Sequence, residues 1–310
     1  MKSLRKRSDH ASTVKLSIQL GMFVVLFSIL ALVELPFWLL LPTLGVFGFV
    51  IFALYAPLHE TTHETAFASK RLNQIGAWLT GLIYGMSPGM HAGFHFEHHR
   101  TTNQENDPER GFAVPEIPGR VIIQVLVGAF TAMLLPLQAL VLSFVPTQHW
   151  DKLEAAWAPK RKRKQLAWEN RAVAAFWVAG FTAMAILNPT MILYSVIGIF
   201  IGRFIHGFIT FAEHDGLTDD VHMIHRSRTT MTNRVFSWFY WNMNYHAEHH
   251  TWPAIPWHQL PEAHAKAANS QVITVNGYTN FFLKGQYNEG GPKKHANNNP
   301  KRASRTYANN

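Results

Sequence analysis

Apolar residues fall in long runs along this chain, separated by short polar or glycine-rich breaks. The first run, Val14–Val33, has the length of a bilayer-spanning helix, about 20 apolar residues. Glu34, Leu35 and Pro36 make a turn, and a second run, Phe37–Leu58, follows at once. No small-residue cleavage site separates the two, so a membrane hairpin is expected rather than a cleaved signal peptide. Gly76–Met90 is short and carries Gly76, Gly81, Gly85, Pro88 and Gly89, which predicts an interfacial or re-entrant piece. Val121–Val145 is interrupted by Gln124, Pro136 and Gln138. Ala172–Leu187 and Pro189–Phe211 flank Asn188-Pro189, a turn signal, and predict a second hairpin of two short spans.

Charge sets the orientation. Lys2, Arg5, Lys6, Arg7 and Lys15 precede or open the first run, and Lys160–Lys164 precedes the second hairpin. The positive-inside rule puts both stretches in the cytoplasm. Val121–Val145 must then cross zero or two times, and it is too short for two. It is expected to lie in the interface or to dip in and return. The fold expected is an all-α integral membrane protein. Four transmembrane helices in two hairpins carry interfacial or re-entrant helices and a cytoplasmic His-rich cap. Residues 1–13 read as a basic cytoplasmic N-terminus, 14–285 as one membrane domain, and 286–310, rich in Asn, Lys and Gly, as a disordered tail.

Composition narrows the chemistry. Charged residues are only 15% of the chain, well below the quarter usual in soluble domains. The net charge of +9 flanks apolar spans, so topology and lipid contact explain it better than nucleic acid. Cysteine is absent, which excludes disulfides, thiolate metal sites, Fe–S clusters and a Cys nucleophile. Histidine, by contrast, numbers 18 and is clustered.

His59-Glu60-Thr61-Thr62-His63 places two imidazoles four residues apart, on one face of a helix. His95-Phe96-Glu97-His98-His99 and His246-Ala247-Glu248-His249-His250 share the pattern HxxHH. Burying so many imidazoles without a cation would leave many donors and acceptors unmet. Imidazole suits Fe, Zn, Cu and Ni, and eight ligands are too many for one tetrahedral zinc. Two metals sharing an all-His shell is the economical reading. Glu60, Glu97, Glu213 and Glu248 are candidates to orient ligand rings from behind, the alternative being solvated carboxylates. His91, four residues before His95, is either a supporting group or an interfacial residue. Arg203 and His206 sit late in the last span, where polar groups are costly; they line a channel or metal shell, or they snorkel.

Arg228-Thr229-Thr230 and Trp241–His250, followed by Pro253, Pro256, Leu260-Pro261 and His264, add local detail to the three boxes. The set resembles the membrane fatty acid desaturase superfamily, and its bacterial branch in particular, from about Phe37 to His264. The resemblance implies two iron ions (Fe2+/Fe3+) on the cytoplasmic side of a bacterial inner membrane. It implies O2 activation with two external electrons and attack on an unactivated C–H bond of a lipid or acyl chain, giving a double bond. It also implies a further His ligand between the last span and the third box, for which His214 is the candidate. The ligand set expected is His59, His63, His95, His98, His99, His214, His246, His249 and His250. Some relatives carry Asn four residues before this extra His; Thr210 stands there here.

Three other readings stay open at this stage. A hydroxylase of the same superfamily, acting on a carotenoid, hydrocarbon or small natural product, begins with the same attack. The string His59–His63 also matches HExxH of zinc membrane peptidases, with Glu60 as base, but leaves two boxes unexplained. A metal transporter would carry polar residues along its spans, which are largely apolar here. Neither a cytochrome b5-type His-Pro-Gly-Gly stretch nor a GxGxxG fingerprint is present, so electrons are expected from a separate ferredoxin or cytochrome b5-type donor, which the Lys160–Lys164 run would steer.

Overall fold

The computed structural model describes residues 1–109, 119–153, 155–217 and 220–284, and these are overwhelmingly helical. The order is α1 (Asp9–Leu32), α2 (Phe37–Ala53), α3 (Tyr55–Thr62), α4 (Lys70–Tyr84), α5 (Pro88–Thr101), α6 (Arg120–Met133), α7 (Leu135–Phe144), α8 (Arg163–Leu187) and α9 (Thr190–His214). Then come β1 (Thr229–Met231), α10 (Arg234–Phe239), α11 (His246–Thr251), α12 (Leu260–Lys266), β2 (Thr274–Asn276) and α13 (Tyr278–Lys284). The two strands pair in parallel, with Thr229 opposite Thr274.

Among the described residues four segments are long and apolar enough to cross a membrane: α1, α2 with α3, α8 with its preceding turn, and α9. They form the two expected hairpins, with shifted ends. Helix α1 begins at Asp9, ahead of the apolar run, because Ser8 caps it by accepting from the Ala11 N–H. Helices α8 and α9 are 25 residues each, not the short spans expected. The polar ends hidden from a hydropathy reading continue the helix: Arg163–Glu169 at the start of α8, and Ala212-Glu213-His214 at the end of α9.

Small residues bring the hairpins together. A Cβ on Gly198 would sit 2.5 Å from a Phe47 ring carbon, and one on Gly202 would meet the Gly48 carbonyl at 2.9 Å. Close backbone approach of this kind is how membrane helices pack without a hydrophobic driving force. It locks α2 against α9, the two helices that lead into the first and the third His-bearing segments.

The bundle has two distinct ends. At one, Asn188 donates to the Ala31 carbonyl, joining the α8–α9 turn to the end of α1. At the other, Ser12 donates to the Ala66 carbonyl and Glu169 of α8 accepts from the Gly89 N–H at the head of α5. That second end holds both basic stretches and all three His boxes.

Helices α6 and α7 meet at a 44° bend around Leu134. Arg120 at the head of α6 pairs with Asp215 just past α9, at 3.2 Å. Leu142 near the end of α7 and Trp150 beyond it pack with Met90 and Leu166. Both ends of the pair therefore stay at the His-bearing end, as expected of a segment that lies in the interface or dips in and returns. The Gly76–Met90 stretch is divided between α4 and α5. The break falls at Gly85, whose φ of +78° is left-handed and closes α4 as a C-terminal cap. Residues 286–310, expected to be a disordered tail, lie outside the described residues.

Candidate metal centre

The first box spans the last turn of α3 and its C-cap residue His63, so His59 and His63 point the same way. The second rides on α5, which starts cleanly because Ser87 caps it and Pro88 fills its first turn. His214 ends α9. The third box is α11, and the loop before it is sharply bent, with Trp241 and Asn242 in left-handed conformations at φ 50° and 54°. Each such residue costs about 1 kcal/mol or more, so the loop must be held from outside. Gln19 of α1 accepts from Trp241 Nε1 at 2.8 Å, and Asn242 donates to the Trp257 carbonyl at 3.1 Å.

These elements gather nine imidazoles into two sets. His59, His63, His95, His99 and His249 form one; His98, His214, His246 and His250 form the other. Within each set the candidate donor atoms all lie within 4.8 Å of one another. The contacts run between Nε2 atoms: His63–His95 at 2.8 Å, His95–His99 at 2.9 Å and His99–His249 at 3.1 Å. In the second set they are His214–His246 at 2.9 Å, His246–His250 at 3.0 Å and His98–His250 at 3.2 Å. The sets abut where the rings of His99 and His250 stack at 4.2 Å.

This arrangement fits a pair of metal ions. Nitrogens about 2.1 Å from one ion are about 3.0 Å apart at right angles and about 3.4 Å apart in a tetrahedron. The observed 2.8–3.2 Å is close to the right-angle spacing, and the five donors of the first set exceed a tetrahedral shell. His59 is fully buried with neither ring nitrogen hydrogen-bonded, a costly state unless a lone pair is used by a cation.

Electrostatics agree. Burial first, and the neighbouring imidazoles second, push His95, His99, His246, His249 and His250 well below their ordinary pKa. Burial takes His63 down to about 3. Neutral imidazole is the ligating form. His98 is the exception. Burial pulls it down, but the carboxylates of Glu109 and Asp107 outweigh this and raise it to about 10.

The acids adjacent to the ligands in sequence do not hydrogen-bond their rings. Glu97 pairs with Arg100 on the outer face of α5. Glu248 accepts from Thr229 and His264. Glu60 accepts from Thr65 at 2.8 Å and from the Trp257 N–H at 3.2 Å, and stays 3.8 Å from His59 Nδ1. Glu213 accepts from Tyr240 at 3.2 Å and is 3.7 Å from His246. The cause is helical geometry: consecutive residues do not face the same way, so an acid beside a ligand points off its face.

One carboxylate that does hold a ligand is that of Asp107, whose Oδ1 accepts from His98 Nδ1 at 2.9 Å. Thr102 Oγ1 lies 3.3 Å from His250 Nδ1. Neither was expected from sequence. The one available signal was Asp107-Pro108-Glu109, an acidic turn a short loop after the second box.

His91 is buried rather than interfacial. Its Nδ1 bonds to Thr62 Oγ1 at 2.7 Å, and its ring stacks on His95 at 5.5 Å. Arg203 and His206 do not snorkel. Arg203 donates to the Tyr84 carbonyl and lies 3.4 Å over the Tyr84 ring, while His206 bonds to the Tyr84 hydroxyl and packs 4.0 Å from Tyr55. Tyr55 in turn touches His59 and His91. The side of the candidate metal centre toward the spans is thus polar and aromatic.

The chain matches the model of the family described as fatty acid desaturase over residues 34–274. It belongs to the fatty acid desaturase family. No individual curated protein matches it. The match covers all three boxes and three of the four candidate spans, beginning after α1. Membership makes this desaturase-family protein an integral membrane oxidoreductase of the desaturase or hydroxylase type. It also removes the peptidase reading, which the bonding of Glu60 to Thr65 and Trp257 already disfavours.

Proposed function

We propose that this protein is an O2-dependent di-iron enzyme that introduces a double bond into a fatty acyl chain. It acts in a bacterial inner membrane with its metal centre facing the cytoplasm. The observation that carries the reading is the pairing of a five-His and a four-His cluster at the basic end of a four-span bundle. Nine nitrogens without a thiolate suit iron, and five donors in one set exceed the tetrahedral shell of structural zinc. Bound there, two iron ions would supply O2 activation and the oxidising power to take hydrogen from an unactivated C–H bond.

The chain's own part is to hold and to shield. His59, His63, His95, His99 and His249 would hold one ion, and His98, His214, His246 and His250 the other. Asp107 keeps His98 turned with Nε2 inward. Phe52, Tyr55 and Tyr240 pack into one buried cluster beside the first box and limit water on the membrane side. A separate ferredoxin or cytochrome b5-type donor would dock at the basic end, where Lys160, Arg161 and Lys162 are exposed.

One observation favours hydroxylation as a second reading. Arg203, His206, Tyr84 and His91 form a polar wall where an acyl chain would meet hydrocarbon. A substrate carrying its own polar group would suit that wall better. Metal analysis followed by turnover under 18O2 separates the readings. About two irons per chain and a product two hydrogens lighter without label mean desaturation. One labelled oxygen in the product means hydroxylation, and zinc without iron would refute both.

A further inference from the structure

The two His sets are unequal, and a carboxylate stands where the smaller one is short. The first set has five donors and the second four. Glu109 Oε2 lies 3.0 Å from His98 Nε2. That nitrogen is the one turned toward the cluster, 3.2 Å from His250 Nε2; the outward Nδ1 is already taken by Asp107. Glu109 therefore touches one of the converging donor atoms, His98 Nε2, whereas Asp107 acts from behind.

The position is built rather than incidental. Asp107 Oδ1 accepts from both His98 Nδ1 and the Glu109 N–H, each at 2.9 Å. Asp107 Oδ2 accepts from the Asn103 N–H at 2.9 Å, and the Asn103 side chain reaches across to the Arg226 carbonyl. One buried carboxylate thus fixes a ligand ring and the backbone of Glu109 together. The Glu109 side chain is 15% exposed, and its ion-pair partner is His98. Among the described residues no Lys or Arg neutralises it. A carboxylate drawn in from water and aimed at an imidazole donor atom is matched by a cation beyond that atom. Two divalent ions in all-neutral imidazole shells would also leave four positive charges in a low-dielectric site, and one carboxylate reduces that excess.

We propose that the Glu109 carboxylate is a fifth protein donor of the four-His cluster. The two metal positions are then inequivalent, one ligated by nitrogen alone and the other by four nitrogens and an oxygen. This rests on the reading that both clusters hold metal. It assigns a harder ligand, and a charge, to one ion only.

The test uses full-length protein in mild detergent, stripped of metal and titrated with Co2+, whose visible spectrum reports ligand number and type. Wild type, Glu109→Gln, Glu109→Ala and Glu109→His are compared. The wild type is expected to take two ions. Glu109→Ala and Glu109→Gln should bind the second ion at least about 10-fold more weakly, and the bands of that ion should shift. Binding of the first ion stays unchanged and serves as the control for folding. Glu109→His restores a donor, so the second ion should return with a nitrogen-type spectrum. Two ions bound by Glu109→Ala with wild-type affinity and spectrum would overturn the assignment. A wild type that binds fewer than two ions would instead overturn the two-metal reading beneath it.

Discussion

Replacing Asp107 by alanine removes three contacts at once. Its carboxylate accepts from His98 Nδ1, the Asn103 N–H and the Glu109 N–H, each at 2.9 Å. Asp107 is 8% exposed, so solvent replaces these bonds poorly. The bond to His98 is charge-assisted and worth about 1.5–3 kcal/mol, and each backbone bond adds about 1 kcal/mol. Asp107→Ala should therefore cost about 4 kcal/mol in the metal-free protein. Asp107→Asn keeps Oδ1 for His98 and Glu109 but turns an amide N–H toward the Asn103 N–H, a loss of about 1–2 kcal/mol. Freeing a ligand ring from its supporting carboxylate typically weakens metal binding 10- to 100-fold, about 1.4–2.7 kcal/mol. Thermal unfolding in detergent, with and without iron, reads both effects. The expected order of Tm is wild type, Asp107→Asn, Asp107→Ala, with the alanine variant retaining one tightly held ion in the five-His set. If Asp107→Ala matches the wild type in Tm and in metal content, His98 does not depend on Asp107 and the reasoning fails.

Gly198→Leu should lower Tm strongly, because its Cβ would lie 2.5 Å from Phe47 and overpacking costs about 1–3 kcal/mol; Gly180→Leu, with nothing within 4 Å, should leave Tm near the wild type. Equal effects would remove the α2–α9 contact as the reason. His63→Ala should weaken one ion of the two, measured by iron titration, and leave the His214-containing set untouched. The metal-free protein should lose Tm between pH 7.5 and pH 5. His63 is held near 3, His91 near 4, and five further imidazoles well below their ordinary value. The unfolded chain takes up protons near pH 6.5 that the folded chain refuses, so stability falls as pH falls. His98, held near 10, acts in the opposite sense but is a single group. A Tm that rises on acidification would contradict these directions.

The spans, the interrupted segment Val121–Val145 and the His boxes were legible because each is written in local sequence. Long apolar runs, Pro and Gly breaks and i, i+4 spacing need no knowledge of distant contacts. What the sequence hid was side-chain direction between elements. The adjacent glutamates Glu60, Glu97, Glu213 and Glu248 looked like natural supports for the ligands, yet helical rotation turns them away. Asp107 and Glu109 reach His98 only because a turn folds back over α5, which no periodicity reports. Likewise His91 and His206 looked interfacial or ambiguous, and become parts of one buried network only when α3, α4, α5 and α9 are set side by side.

The tie between α1 and the loop around the third box has a consequence for biosynthesis. Trp257 donates to Ser12, 245 residues earlier, and stacks under the ammonium of Lys15 at 3.9 Å. Gln19 binds both the Phe239 carbonyl and Trp241. At about 5–20 residues per second, roughly 10–50 seconds separate the synthesis of these partners. The first helix enters the bilayer with Lys15 and Gln19 still unmatched and waits there for its indoles. Three of the nine candidate ligands, those of α11, are seated only when that late clasp closes. A nascent chain therefore carries an unfinished ligand set, and the candidate metal centre is completed only with the fold.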